Sequence, residues 1–163
     1  MLTKASFTPE EWSFVRDAPH MAAMAVATAG HSGLFGSISE AMTAGKAFVE
    51  AFKSPKELYR AIGHPEEMKV VRDQIQAQLK TVEPGKAEAW IQSAALDKCR
   101  RAVAIVSEKG TPEESAEYRD WIAEVAYQIA NAAREGGFLG FGGERISGAE
   151  KKFLEELSQA LGE

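Results

Sequence analysis

Val26-Ala-Thr-Ala-Gly-His-Ser-Gly-Leu-Phe-Gly-Ser-Ile-Ser-Glu40 returns in altered form as Ile129-Ala-Asn-Ala-Ala-Arg-Glu-Gly-Gly-Phe-Leu-Gly-Phe-Gly-Gly-Glu-Arg-Ile-Ser-Gly-Ala-Glu150. Each copy leaves an Ala-rich stretch, crosses a loop of Gly and Phe, meets an Ile-Ser pair and enters a segment carrying Glu. Eight of the chain's 14 glycines lie in these loops: Gly30, Gly33 and Gly36, then Gly136, Gly137, Gly140, Gly142 and Gly143. Glycine tolerates the backbone angles of a tight corner. The repeat therefore predicts an all-α, single-domain bundle over residues 1–163, with about seven to eight helices and two pseudo-symmetric helix–Gly loop–helix corners.

The helix starts outside the corners are strongly marked. Thr8-Pro9-Glu10-Glu11, Ser54-Pro55-Lys56-Glu57 and Thr111-Pro112-Glu113-Glu114 each set a hydroxyl at the cap, Pro at the first position and Glu at the third. The hydroxyl accepts from the third N–H, Glu reaches back to the cap's own N–H, and Pro lacks only an N–H that has no helical partner. His64-Pro65-Glu66-Glu67 and Glu83-Pro84 are weaker versions. Ser37-Ile38-Ser39-Glu40 and Ser147-Gly148-Ala149-Glu150 are capping boxes without Pro. These signals predict helices over 9–17, 19–30, 37–53, 55–62, 65–82, 84–109, 112–135 and 148–161. No segment alternates with period two, so no sheet is expected.

Periodicity assigns the faces. Ile91, Ala95, Cys99, Ala102 and Val106 recur at three- and four-residue steps, as do Tyr118, Ile122, Val125, Ile129 and Ala132, and Phe153, Leu154, Leu157 and Leu161. Such stripes face a core. Met21-Ala-Ala-Met-Ala-Val-Ala27 is apolar all round, which marks a surrounded helix. Helix 112–135 is its expected partner in the second half.

Composition narrows the class. With 19 basic and 24 acidic residues the net charge is −5, which argues against a nucleic-acid surface. Lys98, Arg100 and Arg101 read as a solvated helix face. Cys99 is the only cysteine, lies on an apolar stripe and reads as a buried thiol in a reducing, cytoplasmic setting. The stretch Ala18–Phe35 is too polar and broken to span a bilayer, and the acidic N-terminus does not read as a signal peptide.

No catalytic residue stands out. Gly45-Lys46 and Gly85-Lys86 lack the preceding Gly of a phosphate loop, and no Gly-x-Ser-x-Gly elbow is present. The chain is read as non-enzymatic. Asp17 and His20, three apart near an expected helix break, form a polar pair for a local ion pair or cap; a metal would require further ligands. Glu40, Glu144 and Glu150 are acidic groups at the two corners. Oxygen ligands suit Ca²⁺, Mg²⁺ or Mn²⁺, whereas Glu40 and Glu150 also satisfy capping boxes. Phe35, Phe138 and Phe141 either tuck into the bundle or form an apolar contact with a partner or second copy.

The run Gly142-Gly-Glu-Arg-Ile-Ser-Gly-Ala-Glu150, followed by Phe153-Leu-Glu-Glu-Leu157 and Ala160-Leu-Gly162, resembles the TerB-like family of tellurite-resistance-associated proteins. The resemblance implies a pseudo-symmetric helical bundle and a divalent-metal site at the corners. The family's Asp before Gly is Gly142 here, and neither loop contains Asp. The expectation is a cytoplasmic helical protein that acts through self-association, as a homodimer, or through a protein partner. The alternative is a divalent-metal-binding TerB-like stress-response protein. A pocket for a small apolar ligand beside Met21, Met24 and Phe141 is a third reading.

Overall fold

A computed structural model describes residues 1–29, 45–135 and 148–162. Both glycine corners lie outside these residues, and with them Phe35, Glu40, Phe138, Phe141 and Glu144. The described residues form seven α-helices and no strand: α1 (Pro9–Thr28), α2 (Lys46–Phe52), α3 (Glu57–Ile62), α4 (Pro65–Leu79), α5 (Ala87–Lys109), α6 (Pro112–Glu135) and α7 (Gly148–Leu161). A short 3-10 turn at Lys4–Ser6 precedes α1.

The local start signals act where they were expected. Thr8 Oγ1 accepts from Glu11 N at 3.2 Å while Thr8 N donates to Glu11 Oε2 at 2.8 Å. Thr111 and Glu114 repeat the arrangement at 3.2 and 2.9 Å. His64 caps α4 through Nδ1, which accepts from Glu66 N at 3.2 Å. Ser54 departs from expectation. Its hydroxyl accepts from Lys56 N within a turn, and α3 begins at Glu57. Residues 83–86 likewise turn rather than open a helix, with Gly85 at φ +88°.

Sequence predicts a break between residues 17 and 19; α1 runs straight through Pro19. Proline removes the N–H that would donate to the carbonyl four residues back, here Val15. Tyr118 Oη, from α6, donates to Val15 O at 2.7 Å and replaces the missing donor. Both residues are fully buried. A tertiary contact thus overrides a local breaker, and one 20-residue helix stands where two were expected.

Every α1 residue from Val15 to Thr28 is buried. The helix is surrounded, as its all-round apolarity implies. Its most extensive neighbour is α5, ahead of α6, which revises the expected pairing with residues 112–135. Small side chains explain the ranking: Ala18, Ala22 and Ala25 of α1 and Ala95, Cys99 and Ala102 of α5 are all completely buried. α7 closes the core with Phe153, Leu154, Leu157 and Leu161. Burying each large apolar side chain contributes ~1.5–3 kcal/mol before the entropy of ordering it.

Helices α2 and α3 form a small hairpin beside this core. A Cβ on Gly63, just past α3, would lie 2.5 Å from Phe48 O and 2.7 Å from Phe52 N. The backbones cross so closely that only glycine fits. Phe48 carries the hairpin inward, meeting the Trp121 ring edge-on at 6.1 Å between centroids.

Candidate functional site

Three groups of residues bear on function. The first is a charged network at the junction of α1, α4 and α5. Arg16 Nε donates to Asp17 Oδ1 at 2.7 Å, and Lys98 Nζ donates to Asp17 Oδ2 at 2.6 Å. The Arg16 guanidinium also reaches Glu67 Oε2 and Gln74 Oε1, both at 3.2 Å. Glu67 further accepts from Lys4 and from the Trp12 indole. The Arg16 and Asp17 side chains are 7% and 6% exposed. Burial pushes the Glu67 carboxyl up, but the hydrogen bonds from Lys4, Arg16 and Trp12 outweigh it and hold the group below its ordinary value. Each charge in the set meets an opposite one, so the network fastens elements together. Lys98, read from sequence as a solvated residue, is one of its pillars and also lies over the Phe14 ring.

The expected polar pair of Asp17 and His20 takes another form. Asp17 bonds to Arg16 and Lys98, whereas His20 Nε2 bonds to Ile62 O at 3.3 Å. His20 is fully buried, and its ring stacks on Phe48 with centroids 4.2 Å apart and planes 12° from parallel. Burial drives its pKa down from 6.5 to about 4, against the pull of the Ile62 carbonyl and the Asp17 charge. Its Nδ1 has no hydrogen-bond partner. Two other buried groups are equally remote from solvent. Cys99 Sγ lies 3.7 Å from Ala18 O, and burial raises the thiol to about 12. Burial likewise raises the Tyr118 phenol well above its ordinary value. Catalytic acids, bases and nucleophiles need perturbed groups that substrate can reach, and these three are sealed in the core.

The third group is a cleft between the α2–α3 hairpin and α6, with a volume of about 390 Å³. Tyr59 and Trp121 form its aromatic floor, packed edge to face at 4.9 Å between centroids. Glu50, Glu117, Asp120 and Glu124 stand around it, with Lys56 the one basic lining residue among those described. Lys56 pairs with Glu117 across the cleft. Burial, then the charges of Glu117, Glu114 and Asp120, raise the Tyr59 phenol to about 12. A neighbouring cavity of about 310 Å³ shares Lys56, Tyr59 and Glu117 and adds Glu113 and Glu114. The two cavities thus share a wall, and each is lined by several carboxylates. No short motif encodes the cleft, because its walls come from three elements separated in sequence.

Of the corner acids, only Glu150 is described. It is buried in the first turn of α7. Among the described residues no group of three or more His, Cys, Asp or Glu side chains is placed to hold a metal ion. Nor is any described helix long and apolar enough to cross a membrane. Compared with family models, curated proteins and solved structures, the chain matches none.

Proposed function

We propose that this chain is a non-enzymatic binding protein that takes a basic segment of a protein partner into the acidic cleft between the α2–α3 hairpin and α6. The observation that carries the reading is the lining: four carboxylates and one paired lysine above a Tyr–Trp floor, continued past Tyr59 by a second acidic cavity. An aromatic face among carboxylates favours a guanidinium or ammonium group. Two adjacent cavities with a shared wall suit an extended chain better than a compact ligand. A second copy is a poor occupant on charge grounds, since the whole chain carries −5. The lone, buried Cys99 is compatible with a reducing cytoplasm.

The test is a titration of the full chain with octa-arginine and, separately, with octa-glutamate, followed by Trp fluorescence and calorimetry. The basic peptide is expected to bind, more weakly at high salt, and not to bind Asp120→Lys/Glu124→Lys. Equal responses to both peptides, or undiminished binding by the double variant, would overturn the reading. Light scattering is expected to give a monomer; a dimer at micromolar concentration would move the reading to self-association.

The metal-binding alternative rests on the TerB-like resemblance and needs Glu40 and Glu144 to join Glu150. It requires excess Ca²⁺, Mg²⁺ or Mn²⁺ to raise the unfolding free energy, by ~2.7 kcal/mol at a hundredfold excess over the dissociation constant, and with it the melting temperature.

A further inference from the structure

We propose that His20 is an acid-released latch that fastens the α2–α3 hairpin onto α1. The geometry is that of a single pin through two layers. Nε2 donates to the carbonyl of Ile62, the last residue of α3, while the ring face lies on Phe48 of α2. Both contacts fall beside Gly63, where the two short helices cross most closely. No other described α1 side chain hydrogen-bonds the hairpin.

The tautomer follows from the partner. A carbonyl only accepts, so Nε2 carries the hydrogen and Nδ1 is bare. Nδ1 is buried and meets no donor or acceptor. A proton arriving there would create a buried N–H with nothing to accept it, together with a charge on a ring pressed against Phe48. Both are costly in an apolar wall.

The charges facing the ring do not rescue that state. Among the described residues, Asp17 and Arg16 of α1 and Glu67 of α4 are the charged groups that act on it. Asp17 and Glu67 favour the imidazolium, but Asp17 is already held by Arg16 and Lys98, and Glu67 by Arg16 and Lys4. From α5 and α6, Cys99 and Tyr118 are uncharged and bonded to the carbonyls of Ala18 and Val15. From α2 and α3 come the Phe48 ring and the Ile62 carbonyl, both uncharged.

The hairpin is the part that yields. α1 is tied to α5 and α6 by Lys98–Asp17, Cys99–Ala18 and Tyr118–Val15, none of which passes through His20. Apart from His20, the hairpin's described ties are apolar or exposed: Phe48, Leu58 and Ile62 in the core, the Phe48 and Tyr59 rings on Trp121, and the exposed Lys56–Glu117 pair. Because residues 47–59 are one wall of the acidic cleft, release would also dismantle that cleft. This consequence rests on the reading of the cleft given above; the latch itself does not.

The experiment is hydrogen exchange on the full chain from pH 7 to pH 3.5, corrected for intrinsic rates, in wild type and in His20→Gln. Glutamine offers Ile62 O a donor and does not titrate. The expected result is a loss of at least tenfold in protection over residues 46–62 as the pH falls, while residues 91–106 keep theirs, and no such loss in His20→Gln. Simultaneous loss in both regions, or loss at the same pH in the variant, overturns the latch. Should His20→Gln not fold, NMR of the wild-type ring decides. A titration midpoint coinciding with hairpin opening supports the latch, and titration without opening refutes it. Peptide binding enters neither readout, so the latch and the cleft fail separately.

Discussion

Tyr118→Phe isolates the contact that lets α1 pass through Pro19. The substitution removes one hydroxyl and leaves the ring. Val15 O then loses its 2.7 Å donor; residue 19 has no N–H to replace it, and neither Val15 nor Tyr118 has any exposed surface through which water enters. A buried carbonyl left without a partner costs ~1–3 kcal/mol. At ~2–4 °C per kcal/mol for a chain of this size, a loss of ~2 kcal/mol lowers Tm by about 4–8 °C. Urea unfolding with an unchanged slope measures the free energy directly. The informative comparison is with Pro19→Ala, which restores the N–H that a continuous helix donates to Val15 O. In that background Tyr118→Phe removes a second donor from a carbonyl that keeps its first, and its cost is expected to fall by at least ~1 kcal/mol. An equal cost in both backgrounds, or a cost below ~0.5 kcal/mol in wild type, would refute the account.

Arg16→Met leaves Asp17 and Glu67 partly unpaired in a buried setting and is expected to cost ~3 kcal/mol; Lys69→Met, at an exposed pair with Asp73, is expected to change urea stability by less than ~0.5 kcal/mol. Because folding lowers the His20 pKa from 6.5 to about 4, the unfolded chain binds the extra proton first. Stability is therefore expected to be full above pH 6.5 and to fall by about 3 kcal/mol on acidification to pH 4, at ~1.36 kcal/mol per unit. Glu67, whose carboxyl is lowered, adds its own loss only at lower pH, as it protonates below its ordinary value of 4.5. A flat urea-stability profile between pH 6.5 and 4.5 would contradict the His20 assignment. Gly63→Ala drives a methyl into Phe48 O and Phe52 N and is expected to cost ~1–3 kcal/mol in thermal melting.

What was legible in the sequence was what is local or periodic. The Thr8 and Thr111 caps form because all their atoms lie within four residues. The α5 stripe from Ile91 to Val106 is buried at every position because period 3.6 alone decides which side faces in. The misreadings share the opposite property. Pro19 read as a break because the replacement donor, Tyr118, is 103 residues from the Val15 carbonyl it serves. Lys98 read as solvent-facing because its partner Asp17 is 81 residues away. Ser54 resembled a cap, yet its hydroxyl serves a turn. The cleft had no sequence signature, since Tyr59 and Trp121 become one floor only after the hairpin docks.

The burial of α1 has a consequence for how the chain must be made. Its ties to Lys98, Cys99 and Tyr118 span 81, 81 and 103 residues. The most apolar segment is thus synthesised well before the helices that enclose it. At ~5–20 residues per second, Met21–Ala27 waits on the order of 4–20 s beside the ribosome with its eventual neighbours still unmade. Contacts this distant along the chain also slow the search for the native arrangement. During that interval the apolar helix has nothing to enclose it, and the same holds for fragments ending before α5.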